Sequence, residues 1–162
     1  MSSESAPWLD RTEAAAWVSL VSTSEWLQPA LDIQLRDDAG ITHFEYGVLS
    51  SLSSAPGHRL PLAKLAQLAN STYSRLSKAV NRFSDQGWVE RQPDPEDGRT
   101  TLAVLTDAGM DKVVATAPGH VRRVRELIFD NLTREEVEHL AVIAAKIAAA
   151  VGPDGACAEK LG

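Results

Sequence analysis

At 162 residues, 44% hydrophobic and 23% charged, the chain carries one domain's worth of sequence and enough apolar material for a packed core. Its net charge is −6, no apolar run approaches the roughly 18 residues of a membrane span, and MSSESAPWLD has neither a basic n-region nor an apolar h-region, so a globular cytoplasmic protein with no membrane partner is expected. The one cysteine, Cys157, excludes an intrachain disulfide and fits a reducing compartment.

A first helix is predicted over Thr12 to Asp37, where Trp17, Leu20, Ser24, Leu27 and Leu31 recur in alternating steps of three and four, the stripe of a helix packed along another helix. Asp38-Ala39-Gly40 ends it, and Thr42 caps a second helix carrying Phe44, Val48, Leu49 and Leu52, which stops before Ala55-Pro56-Gly57. In LPLAKLAQLANS, Leu62, Leu65, Ala66 and Ala69 fall at helical spacing, and Asn70-Ser71 supply a break and an N-cap side chain.

TYSRLSKAVNRFSDQG forms the next helix, with Leu76, Ala79, Val80 and Phe83 facing inward and Gly87 at its end. Arg75, Lys78 and Arg82 project from one flank, and no acidic residue occurs between Ser71 and Ser84. On an isolated helix such a flank is an ordinary solvated face. Here Ser71, Thr72, Tyr73 and Ser74 add hydroxyl donors at a helix N-terminus that already favours anions, and Arg75 adds a forked donor suited to guanine.

Two β-favouring runs follow, Trp88 to Arg91 and Thr100 to Leu105, joined by the turn-forming PDPEDGR. A helix pair followed by a charged hairpin reads as a winged helix-turn-helix, mainly α with a small β-hairpin wing, which holds one helix and one hairpin against duplex DNA. Arg99 near the tip can extend towards a minor groove, with Asp97 placed to orient it or another cation, or the two simply close the turn.

Thr106 caps a long helix in which Met110, Val114, Ala117, Val121, Val124 and Ile128 form a stripe, with a kink or break expected at Pro118-Gly119. Arg122, Arg123 and Arg125 read as a solvated charge run on it. The capping box Thr133-Arg134-Glu135-Glu136 opens the last helix, whose Val137, Leu140, Ala144, Ile147 and Val151 continue until Gly152-Pro153. Three long stripes exceed what one small winged domain covers. An isologous dimer of the first, fifth and sixth helices would bury the surplus, and a monomeric helical layer over the winged domain is the alternative.

The chain therefore divides as a single domain, 1–162, with dimerisation helices at 8–37 and 106–151, a winged helix-turn-helix portion at 42–105 and a flexible tail at 152–162. From Arg59 to Gln92 six basic residues stand against two acidic ones, a local charge of +4 that leaves −10 on the remainder. A basic face on an acidic body suffices for DNA, because affinity follows the potential facing the phosphates. His43, His58, His120 and His139 show no metal-ligand spacing and no nucleophile-elbow sequence occurs, so no catalytic residue, metal or cofactor is expected.

The run SRLSKAVNRFSDQGWVERQPDPEDGRTTLAVLTDAG, Ser74 to Gly109, resembles the MarR (multiple antibiotic resistance regulator) family of bacterial transcriptional regulators. The shared features are a recognition helix ended by Gly, a strand with Val-x-Arg, a wing with Asp-x-Arg, and Leu-Thr-x-x-Gly opening the next helix; the likeness extends from Trp8 to Val151. It implies a homodimer on an inverted-repeat DNA operator, usually a repressor released by a small molecule or, in some members, by thiol oxidation. The DNA contacts would be Ser71, Thr72, Tyr73, Ser74, Arg75, Lys78, Arg82, Asp97 and Arg99. A small aromatic or amphipathic effector would occupy a cleft near Trp17, Trp26, His43, Tyr46 and Gly47. Sensor members carry their reactive cysteine in the first helix, so no role passes to Cys157, and Gly98 stands where another Arg is frequent. The competing class is a winged-helix protein-interaction module that has lost DNA binding; Arg75, Lys78 and Arg82, with no acid among these recognition-helix cations, and Arg99 on the wing favour the first reading.

Overall fold

The computed structural model describes residues 8–152; Cys157, and the expected tail beyond Gly152, lie outside the described residues. In chain order the elements are α1 (Arg11–Ala39), α2 (His43–Ser54), β1 (Arg59–Pro61), α3 (Leu62–Leu68), α4 (Tyr73–Asp85), β2 (Val89–Pro93), β3 (Thr101–Leu105), α5 (Asp107–Leu127) and α6 (Arg134–Val151), with short 3-10 turns at Pro56–His58 and Phe129–Asn131. Three of the helices start on a reciprocal capping box, Asp10 with Glu13, Thr42 with Glu45 and Thr133 with Glu136, each satisfying backbone donors that the first turn leaves open. No helix among the described residues is long and apolar enough to cross a membrane.

The wing belongs to a three-stranded antiparallel sheet of order β1-β3-β2, with Leu60 and Arg91 both opposite Ala103. Strand β1 is an addition to the expected hairpin. It has three residues and ends in proline directly before a helix, too short for alternation to register. The core lies between this sheet and α2, α3 and α4: Val48, Leu49, Leu52, Leu62, Leu65, Leu76, Val80, Phe83 and Val89 are fully buried, and Leu35, Ile41 and Val113 close it from α1, the segment after it and α5. Gly109 locks the wing to α5, because a Cβ there would stand 2.1 Å from the Trp88 carbonyl oxygen. Thr106 caps α5 through the Gly109 amide and donates its hydroxyl to the Gly87 carbonyl at 2.7 Å.

The break expected in α5 is absent. The helix runs unbroken through Pro118-Gly119, and Gly119 lies where a Cβ would meet Asp38 of α1 at 3.0 Å, so contact with α1 supports the turn that proline weakens. Within one chain its buried residues are Gly109, Val113 and Thr116, while Val114 and Val121 of the stripe assigned to the dimer are exposed. The apolar pattern did not mark this buried face, because it includes a glycine and a threonine whose hydroxyl donates back to the Lys112 carbonyl.

Helices α1 and α6 stay largely uncovered within one chain. Only Leu31 and Leu35 are buried in α1, Trp17 and Leu20 are exposed, and α6 buries no residue while exposing Leu140, Ile143 and Ile147.

Candidate nucleic-acid interface

Helix α4 begins at a sharp break. Asn70 adopts a left-handed φ of 46°, the Ser71 amide donates to the Ala66 carbonyl, and Thr72, one residue later than expected, is the N-cap, its hydroxyl accepting from the Arg75 amide at 3.2 Å. With Leu76, Ala79, Val80 and Phe83 held in the core, the opposite face carries Tyr73, Ser74, Arg75 and Lys78 into solvent.

The cations on that face are held differently. The Arg75 guanidinium lies over the Phe44 ring of α2, its Cζ 4.1 Å from the centroid, an arrangement that uses the face of the group and leaves N–H donors at its rim. Lys78 is exposed and has no acidic partner among the described residues. Arg82 is ion-paired through Nη2 to the Oε1 of Glu45, a carboxylate only 5% exposed. Arg91, on the wing strand, donates to the carbonyl and hydroxyl of Ser77 at 3.0 and 2.8 Å, tying β2 to α4.

At the wing tip Asp97 closes the turn. Its Oδ1 accepts from the Arg99 amide at 3.1 Å and its Oδ2 from the Thr100 hydroxyl at 2.9 Å, while its carbonyl accepts from the Thr100 amide. Of the two roles expected for Asp97, these bonds are those of closing the turn. Arg99 is exposed, with no acidic partner among the described residues.

One face of α2, with α3, β1 and His120 of α5, lines a cleft of about 670 Å³ that includes His43, Tyr46 and Gly47, together with Lys64 and His120, which sequence reading missed. Trp17 and Trp26 are outside it. Trp17 belongs to the uncovered first half of α1, and Trp26 is one position off the line through Leu27, Leu31 and Leu35 that faces the body. His120 was legible in principle, since it continues the Val113 and Thr116 face at helical spacing. Its ring lies 4.7 Å from Tyr46 and 5.8 Å from His43, centroid to centroid. Burial lowers the pKa of both histidines; the His43 charge lowers His120 further, and Asp32, whose carboxylate accepts the His43 amide, partly offsets the effect at His43. Burial raises the Tyr46 phenol. Among the described residues no group of three or more His, Cys, Asp and Glu side chains is placed to hold a metal ion.

A family model for the MarR family matches residues 39–100. Sco3205, a MarR family transcriptional regulator from Streptomyces coelicolor whose crystal structure is a complex with DNA, is 42% identical, with 90% of this chain and 95% of that one covered and a TM-score of 0.83. The chain belongs to the MarR family. A second MarR regulator from Streptomyces coelicolor, AbsC, is 31% identical over 90% of this chain and 97% of that one, with a TM-score of 0.81. The transcriptional regulator PapX from Escherichia coli is 30% identical over 110 residues, 68% of this chain and 66% of its own length, so the chain matches just under two thirds of that relative. As a MarR chain, it carries α3 and α4 as its helix-turn-helix and β2 and β3 as its wing.

Proposed function

We propose that this MarR protein works in the cytoplasm as a homodimer that binds an inverted-repeat operator in duplex DNA, represses transcription there, and lets go when a small aromatic or other amphipathic molecule occupies the cleft. The observation that carries the reading is the acid-free group of exposed residues Thr72, Tyr73, Ser74, Arg75 and Lys78 at the start of α4, on the same body as an exposed Arg99 at the wing tip. Sco3205, similar along nearly its whole length, was crystallised with DNA.

On this reading α4 enters the major groove. Arg75, held over Phe44, presents its rim donors to a guanine edge; Lys78 and the hydroxyls of Ser71, Thr72, Tyr73 and Ser74 take phosphates. Arg99 reaches a minor groove, with Asp97 shaping the turn behind it. The segments 8–37 and 106–151 supply the dimer, because Trp17, Leu20, Val121, Leu140 and Ile147 are apolar and uncovered in one chain. An effector would need to favour the released state by about 1–3 kcal/mol, the usual size of an allosteric coupling.

The test is a gel shift across a salt series with the promoter beside the protein's own gene. Specific binding that weakens with salt and with Arg75→Ala is expected. A folded protein that retains neither operator nor scrambled DNA would leave the protein-interaction module as the better reading.

A further inference from the structure

The first turn of α2 touches α4 twice, through Phe44, which is partly exposed, and Glu45, which is buried. Phe44 lies under the Arg75 guanidinium, and the Oε1 of Glu45 takes the Arg82 guanidinium. Glu45 is fixed from its other oxygen as well: Oε2 accepts the Thr42 amide at 2.8 Å, and the Glu45 amide donates to the Thr42 hydroxyl at 3.1 Å. A carboxylate this far from water requires a cation in contact. Arg82 supplies it and remains half exposed at the last turn of α4, so the desolvation cost of parting the pair falls on Glu45.

We propose that Phe44 and Glu45 are positioning residues for DNA recognition: Phe44 presents Arg75 to the base edges, and Glu45 holds Arg82 back so that it adds no sequence-independent pull on the phosphates. The proposal rests on the DNA-binding reading above. It separates two cations that sit on one flank and look equivalent in sequence. Stacking over a ring leaves a guanidinium its in-plane donors, whereas pairing with a buried carboxylate neutralises it.

The experiment measures affinity against salt for the full-length protein on operator and scrambled duplexes, with thermal melting followed in parallel. Glu45→Gln keeps an acceptor for the capping box and removes the charge. Freed Arg82 should then steepen the slope of log K against log salt by about 0.9 per subunit, roughly two per dimer, and should tighten scrambled DNA at low salt so that the operator preference falls. Adding Arg82→Ala to Glu45→Gln should reverse the steepening. Phe44→Leu keeps an apolar side chain and removes the ring, so operator affinity should fall about 5–30-fold per dimer while scrambled DNA changes little.

A merely structural role would lower the melting temperature and move neither slope nor preference, and that result overturns the proposal. A loss of about two slope units from Arg82→Ala alone would put Arg82 on the phosphates in the wild type and overturn the Glu45 role. Equal losses on both duplexes from Phe44→Leu would overturn the Phe44 role. A wild-type chain that binds neither duplex brings down the DNA-binding reading itself, an outcome distinct from normal wild-type binding with unmoved variants.

Discussion

The winged half and the terminal helices carry comparable apolar side chains and dispose of them in opposite ways. Around the sheet, Leu49, Leu65, Leu76, Val80 and Phe83 are sealed within one chain, whereas along α1, α5 and α6 the side chains of Trp17, Leu20, Val121, Leu140 and Ile147 lie on the surface. The first region closes on itself with short elements meeting from several directions. The second consists of long helices whose apolar lines outrun the body beneath them, so its stability should depend on a second copy in a way the winged half does not. One chain therefore shows a closed winged half beside terminal helices with exposed apolar side chains.

The largest effect should come from breaking the finished region. Phe83→Ala removes a fully buried ring and should cost about 3–5 kcal/mol in urea unfolding, with secondary structure lost in one transition. Ile147→Glu should behave differently: sedimentation should show dissociation to monomer at micromolar concentration, with circular dichroism of the winged half preserved. Leu31→Glu sharpens the contrast, because Leu31 is already 5% exposed within a single chain and its loss should unfold the protein as well as dissociate it. A wild-type chain that sediments as a stable monomer would erase the distinction between the two regions.

Effects on DNA should be smaller and should differ in kind. Arg75→Ala is expected to cost about 1–3 kcal/mol on operator DNA and to relax preference at one position of each half-site, read by binding selection from randomised duplexes. Arg99→Ala should instead flatten the salt dependence by about one unit per wing, or two per dimer, most on A·T-rich flanks. Asp97→Ala should reproduce this partly, through loosening of the turn that its two side-chain oxygens close.

The smallest effect concerns pH. Folded His43 and His120 titrate below the usual histidine value because burial disfavours their charge, so the unfolded chain takes up protons first. Stability should be complete above about pH 6.5 and decline as pH falls from there towards the depressed folded values. His120→Gln should flatten that decline in urea midpoints measured between about pH 7.5 and 5.5, and an unchanged decline would assign it to other groups.

Much of the winged half is legible in the sequence because its signals are local. The α4 stripe of Leu76, Val80 and Phe83, the turn-rich PDPEDGR and the Thr42 cap of α2 each lie within a single element or turn. What escaped depends on distant partners. Nothing near Arg82 announces Glu45, nothing near Arg59 announces pairing with Val104, and the packing face of α5 runs through Gly109 and Thr116 because of what α1 and the Trp88 carbonyl place against it. The same limit applies to the cleft. Gly47, Tyr46 and His43 are near neighbours in sequence, but Lys64 and His120 reach them only through the fold.

The most direct test of the account is hydroxyl-radical footprinting of the wild-type protein on its selected duplex, with stoichiometry measured on the same complex. Two subunits protecting an inverted repeat whose half-sites lie about one helical turn apart, roughly 10 bp, with added minor-groove protection at the wings, is the predicted result. A single asymmetric half-site protected by one subunit, or no protection by folded protein, would contradict it.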